Sequence, residues 1–422
     1  MGQLVIRGNK QLRGRVRAGG RKNSALAVIP ATLLAEGESV IENLPHIEDV
    51  RVYTDILRAV GADATLVNGT LRVNPGAGSI DTAGPYDLCK RMRASYYLLG
   101  VFLARYGRAE VGMPGGCDIG PRPIDQHLKG FRALGAEVSL EHGVIKAWAD
   151  RLVGTTIYLD VVSVGATINI MLAASLAEGT TVIENAAKES HIVDLANYLN
   201  AAGARIQGAG TEVIKIRGVE SLSGVQHSVI PDEIEAATYM IAAATTGGEV
   251  VVENVIPKHL DPVTAKLAES GVQVMENGDS IRVVGNGRPR AVNIKTLPYP
   301  GFPTDAQQPM TAFLTTAEGT SLVTETIWED RFRFVNELNR MGANIRVEGR
   351  TAIIEGIPRL SGAPVQATDL RAGAALIVAG LSADGETVIS NIEHVDRGYE
   401  RMAEKLRELG ADVSRVDLRG DD

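Results

Sequence analysis

The chain has two cysteines, and one of them lies where a thiol could do chemistry. Cys117 occupies the stretch MPGGCDIGPR, Met113–Arg122, with Gly115 and Gly116 before it and Gly120 and Pro121 after it. Glycine on both flanks suits a mobile tip. A neighbouring cation such as Arg122 favours the thiolate of an accessible cysteine. A thiol so placed can serve as nucleophile or proton donor. A lone cysteine more often fills space, and Cys89, in PYDLCKRM, is read in that way.

A second set of candidates stands at the starts of six apolar stretches, which read GGRKNSA, KRMRASY, VSVGATI, IPDEIEA, FPTDAQQ and ATDLRAG. A buried helix leaves its first N–H groups unpaired and positive at that end. Several such ends aimed at one place make an anion site. Lys22, Arg93 and Arg371 would add full charges there. Asp232, Asp305 and Asp369 stand where N-caps stand, so capping is their first reading. Lys22 and Arg93 have an equally ordinary reading as solvated side chains. His127 and His394 read as hydrogen-bonded structural residues. GGRKNS lacks the spacing of a phosphate-binding P-loop, and no H-E-x-x-H or C-x-x-C supports a metal.

The elements that must position these groups follow from an internal repeat. Six times an apolar helical stretch ends at a glycine turn, then come a β-branched strand, an amphipathic helix closed by glycine, and another strand. The turn glycines are Gly37, Gly107, Gly179, Gly248, Gly319 and Gly385. The closing glycines are Gly61, Gly135, Gly203, Gly271, Gly342 and Gly410, 68 to 74 residues apart. Glycine just past a helix accepts a positive φ without penalty. Stretches such as INIMLAASLA and RAGAALIVAGL are apolar all round and predict helices buried on every side. The amphipathic helices then belong outside, and six units divide into two groups of three near Ser223–Ile230. From turn glycine to closing glycine, the second unit is the longest, and its excess is the Cys117 stretch.

The whole chain has 422 residues, 45% of them hydrophobic and 22% charged. Its 43 basic and 51 acidic residues give a net charge of −8, which argues against a nucleic-acid-binding surface. Two cysteines cannot form a disulfide framework. MGQLVIRGNKQLRGRV has no run of signal-peptide length. Ile6 stands where a myristoylation signal needs Ser or Thr. The longest apolar stretches, such as Ile168–Ala177, fall short of the roughly 20 residues that cross a bilayer. A soluble cytoplasmic protein is expected.

Taken together, GGRKNSAL, KRMRASYYLLG, MPGGCDIGPRPIDQHLKG, VSVGATINIMLAASLAEGTTVIENAAKE, GFPTDAQQPM and HVDRGYERMAEKL closely resemble the bacterial UDP-N-acetylglucosamine 1-carboxyvinyltransferases. The match runs in order from about Leu4 to about Val416. Its most specific part is PGGCxIGxRPIDxH, which the sibling 5-enolpyruvylshikimate-3-phosphate synthases lack. The resemblance implies an α/β fold of two inside-out barrel domains, each of three repeated units with buried helices and outer sheets. The domains would be 21–229 and 1–20 with 230–422, with the active site in the cleft between them.

The resemblance also implies the reaction. Phosphoenolpyruvate would give its enolpyruvyl group to the 3′-hydroxyl of UDP-N-acetylglucosamine through a tetrahedral ketal, releasing phosphate, as the first committed step of peptidoglycan precursor synthesis. It implies that Cys117 is the acid, forms a thioketal adduct with phosphoenolpyruvate and is alkylated by fosfomycin, and that Asp305 takes the sugar proton. Lys22, Arg122 and Arg397 would hold the phosphate, with Lys22 and Arg397 counted as catalytic. Arg331 and Arg371 would lie near the carboxylate, and Asn23 between the substrates. The nucleotide sugar would meet Arg93, Arg122, Pro123, Ile124, Asp125, Gln126, Val162, Ser163, Val164, Asp305 and Ile327. Asp232 stays a cap, and Asp369 would help hold the site in place. No metal, organic cofactor, nucleic acid, membrane or obligate protein partner is implied. The Cys117 loop would close as a lid after the sugar nucleotide binds.

Overall fold

The computed structural model describes residues 2–76, 80–113 and 124–417. Among these, residues 2–19 and 231–417 belong to one compact unit, and those between 20 and 230 to the other. Each has its own aliphatic core. The core of the first unit draws on Leu4, Ile6, Leu12, Val16 and Ala18 together with residues from Ala236 onward.

The six apolar stretches fold as interior helices: α1 (Lys22–Ala31), α2 (Tyr97–Tyr106), α3 (Val164–Ala174), α4 (Glu233–Thr245), α5 (Thr304–Leu314) and α6 (Leu370–Ser382). Every residue from Ala166 to Ala174 is buried, and so is every residue from Arg371 to Leu381. That is the expected fate of helices lacking a polar face. In one unit α4, α5 and α6 pack pairwise; in the other α2 packs on both α1 and α3. The approach of α2 to α3 depends on Gly100, where a Cβ would lie 2.4 Å from the Asn169 carbonyl oxygen.

Each repeat builds one sheet with the same order. A short strand runs parallel to the first strand of the unit, whose other neighbour is the outer hairpin. In the third unit this is Thr156–Tyr158, Thr180–Glu184, Val213–Arg217 and Arg205–Gln207. The second unit keeps only three strands, and its parallel partner shrinks to a bridge between Ala83 and Glu110. The sixth sheet borrows a strand from the other end of the chain. Here β1 (Gly2–Arg7) lies between Glu386–Ser390 and Asp412–Asp417, antiparallel to both. The next strand, β2 (Arg13–Arg17), supplies the parallel partner of Glu249–Glu253 in the fourth sheet. Gln226–Ser228 does the same for Ser39–Glu42 in the first sheet. Each set of three units is thereby closed on itself.

All six closing glycines have positive φ, from 90° to 113°. Among the turn glycines the fourth departs from expectation. Positive φ falls on Gly247, at 61°, and not on Gly248. Gly248 is needed for space instead, since a Cβ there would meet the Leu12 carbonyl oxygen at 2.1 Å.

Candidate active site

In the unit formed by residues 20–230, Lys22 opens α1 and is only 15% exposed. The solvated reading of this lysine therefore fails. Its ammonium meets the buried carboxylate of Asp49 at 2.7 Å. The backbone around it is tied down on both sides. The Arg21 N–H donates to the Ile230 carbonyl at 2.7 Å, and the Arg21 side chain donates to Ser190. Ser24 bonds to Asp194, a buried carboxylate that also receives His227 at 3.0 Å and the Ile230 N–H at 3.3 Å. Asn23 is left exposed between these anchors. Arg93 lies on the short turn before α2 with its guanidinium over the Tyr96 ring, 5.8 Å from the centroid.

The expected sugar-nucleotide residues of this unit flank the starts of two helices. Ile124 and Asp125 begin the helix Asp125–Ala133, and Gln126 is buried there. The Gln126 amide donates to Asp125 at 2.8 Å and to Asp160 at 3.1 Å, while its oxygen accepts the Asp160 N–H at 2.9 Å. Val162 is 46% exposed, unusual for valine; Ser163 caps α3 by accepting the Ala166 N–H, and Val164 follows. His127 is structural, as expected. Asn169 donates to its Nδ1 at 2.9 Å and to the Tyr96 carbonyl, so the ring carries its proton on Nε2. Burial, helped by Arg93 and opposed by Asp125, lowers the His127 pKa to about 4. Burial raises the Cys89 thiol to about 12, against a bond from Ser95 that lowers it, so Cys89 is inert at neutral pH.

In the other unit the three acids at helix starts part ways. Asp232 accepts the N–H groups of Ile234 and Glu235, both at 2.9 Å, and Asp369 accepts those of Arg371 and Ala372 at 2.9 and 3.1 Å. Both are N-caps. Asp305 does not stand at the cap position. It sits in the first turn of α5, with Pro303 at the cap position. Its carboxylate receives Arg331 at 2.6 Å and Arg371 at 3.1 Å. Both arginines are buried, at 3% and 6% side-chain exposure, while Asp305 is 30% exposed. Burial pulls the Arg371 pKa down, but Tyr399, Asp305 and Asp232 more than offset it, and the net shift is upward. The Nε atoms of both arginines have no hydrogen-bond partner among the described residues. Two buried cations sharing one half-exposed carboxylate, with donors to spare, suit an anionic ligand.

Arg397 follows the short helix Glu393–Asp396 and is half-buried, and Ile327 is half-buried after the strand Thr320–Thr324. Asp49 and Glu325 went unnoticed in the sequence. Asp49 lies inside an amphipathic helix with nothing to mark it. Glu325 carries a signal in the repeat, because four other units have asparagine at its place. Cys117, Arg122 and Pro123 lie outside the described residues, as does most of the expected lid.

Interior helices wrapped by one small sheet per repeat, with a further two-stranded pair of Leu222–Ser223 and Ala35–Glu36, in two three-fold sets define an enolpyruvyl transferase fold. A structure of the enolpyruvyl transferase NikO from Streptomyces tendae matches with a TM-score of 0.90 at 29% identity, covering 99% of each chain. An EPSP synthase from Acinetobacter baumannii shares the fold, with a TM-score of 0.79 at 21% identity over 99% of this chain and 100% of its own. The family described as EPSP synthase (3-phosphoshikimate 1-carboxyvinyltransferase) matches residues 6–406. The UDP-N-acetylglucosamine 1-carboxyvinyltransferase 3 of Symbiobacterium thermophilum is 60% identical over 98% of both chains. The UDP-N-acetylglucosamine 1-carboxyvinyltransferase of Clostridium botulinum is 56% identical over 99% of this chain and 100% of its own. The chain belongs to the EPSP synthase family and, within it, to the UDP-N-acetylglucosamine 1-carboxyvinyltransferases. Among the described residues no helix is long and apolar enough to cross a membrane.

Proposed function

We propose that the chain transfers the enolpyruvyl group of phosphoenolpyruvate to the 3′-hydroxyl of UDP-N-acetylglucosamine, the first step of peptidoglycan precursor synthesis, in the cytoplasm. The observation that carries this is 60% identity, over 98% of both chains, to a protein named for that activity. The substrate is a phosphate and a carboxylate on one enol, and a carboxylate held between buried arginines with unused donors supports its handling.

Cys117 gives a proton to C3 of the enol, and C2 becomes cationic. The sugar oxygen bonds to C2 and its proton goes to Asp305. The bond from C2 to the phosphate oxygen then breaks and C3 returns a proton to the Cys117 sulfur, while the proton on Asp305 leaves with the phosphate, so one enol phosphate and one alcohol yield one enol ether and one phosphate. Lys22, Arg122 and Arg397 bind the phosphate, Arg331 and Arg371 the carboxylate, and Asn23 lies between the substrates. Arg93, Arg122, Pro123, Ile124, Asp125, Gln126, Val162, Ser163, Val164 and Ile327 bind the nucleotide sugar.

The description of the matching family favours one rival, transfer to shikimate 3-phosphate. A phosphate-release assay with the two acceptors side by side decides between them. Release that requires UDP-N-acetylglucosamine is expected; release only with shikimate 3-phosphate would overturn the proposal. Calorimetric binding of the nucleotide sugar with no turnover would instead indicate a sensor.

A further inference from the structure

The residue after the first strand of a unit is Asn43, Asn185, Asn254 and Asn391 in the first, third, fourth and sixth units, each with φ between 57° and 59°. In three of them the amide donates to the carbonyl of the residue just past the parallel strand. Asn43 reaches Val229 at 2.7 Å, and Asn185 and Asn254 reach Leu159 and Ala18 at 2.8 Å. The fifth unit breaks this pattern. After Thr320–Thr324 comes Glu325, and the residue just past its parallel strand Ile294–Lys295 is Thr296.

Glu325 is 1% exposed, and its carboxylate accepts four hydrogen bonds. Thr296 donates its hydroxyl at 2.9 Å, while its carbonyl, the acceptor of the link in the other units, takes the Thr326 hydroxyl at 2.6 Å. The N–H groups of Ile327 and Trp328 donate at 2.7 and 3.2 Å. The hydroxyl of Thr304, the first residue of α5, donates to the other oxygen at 2.8 Å. An asparagine amide would present donors where these donors point. A carboxylate gathers all four, and bonds to a buried charge are the strong ones. The exchange joins the loop that carries Ile327 to the helix start that carries Asp305.

We infer that Glu325 is a positioning residue for the acceptor half of the reaction: it fixes the Ile327–Trp328 loop against the Asp305 turn. The inference rests on the proposed activity and goes beyond it, because Glu325 itself touches no reacting atom. The test compares wild type with Glu325→Asn, Glu325→Gln and Thr304→Val. Affinity for UDP-N-acetylglucosamine is measured by calorimetry without phosphoenolpyruvate, and KM for each substrate in the phosphate assay.

Glu325→Asn, which restores the residue of the other units, should weaken UDP-N-acetylglucosamine binding by about tenfold or more. KM for phosphoenolpyruvate should stay within about twofold. Glu325→Gln keeps an oxygen for the loop N–H groups and should recover most of the affinity. Thr304→Val removes one bond without emptying the core and should lower kcat more than it raises KM. Unchanged affinity in Glu325→Asn would overturn the inference. So would KM values for both substrates rising together with a fallen melting temperature, which would mark a purely structural role. Should Glu325→Asn not fold, the kcat-against-KM split in Thr304→Val decides. Wild type inactive with UDP-N-acetylglucosamine would sink the proposed activity itself; active wild type with indifferent variants sinks only the role of Glu325.

Discussion

Asp305 shows what a residue's neighbours do to its meaning. In sequence it matches Asp232 and Asp369, yet those two close helix ends while Asp305 bridges Arg331 and Arg371. Asp305→Ala should cost at least about 10² in kcat if the carboxylate is the base, read in the phosphate assay; a normal rate would leave it only an arginine partner. Cys89 is buried, and the proposed chemistry falls on the other thiol. A maleimide at pH 7.5 should label one thiol of the native protein and two after denaturation, with labelled fosfomycin found on Cys117 and none on Cys89. His127 carries a pH signature. Its folded value of about 4 lies below the usual 6.5, so the unfolded chain binds the extra proton between those values. Stability should therefore fall as pH drops from 6.5 toward 4, by on the order of 3 kcal/mol. The urea midpoint of wild type should drop more between pH 7.5 and 5 than that of His127→Gln. Caps and helix-end cations were legible because residue type and position suffice to propose them. Asp49 and the links of Asp194 were not, because their partners come from distant parts of the chain.

At the level of elements, the repeat revealed most of the architecture. A helix with no polar face has one place to go, and glycine spacing marks each turn. Where the reading slipped, a second constraint was at work: Gly248 is a glycine because Leu12 presses against it, and Gly247 makes the turn. Sheet membership was the least legible feature, since a parallel partner can come from any unit and only the assembled fold names it. The approach of α2 to α3 gives a direct check. Gly100→Ala would push a Cβ to 2.4 Å from the Asn169 carbonyl and 2.7 Å from its side-chain oxygen. Overpacking of this kind costs about 1–3 kcal/mol, and Asn169 also holds Tyr96 and His127. A lower melting temperature is expected, with loss of nucleotide-sugar affinity as Arg93 and Gln126 shift.

For the molecule as a whole, the decisive feature is that one unit is continuous and the other is not. Every sheet built from residues 20–230 is complete within that segment. The segment expressed alone should melt cooperatively by circular dichroism. Residues 231–422 alone should not, because β1 is an inner strand of their last sheet; adding back a peptide of residues 1–19 should restore structure. The same topology sets an order of events on the ribosome. β1 emerges early but both its neighbours, Glu386–Ser390 and Asp412–Asp417, are translated some four hundred residues later. Until then an apolar strand with two open edges must be kept from pairing elsewhere. Its sequence, GQLVIR, is followed within ten residues by four more arginines and lysines, charges of the kind that discourage such association while the nascent chain waits.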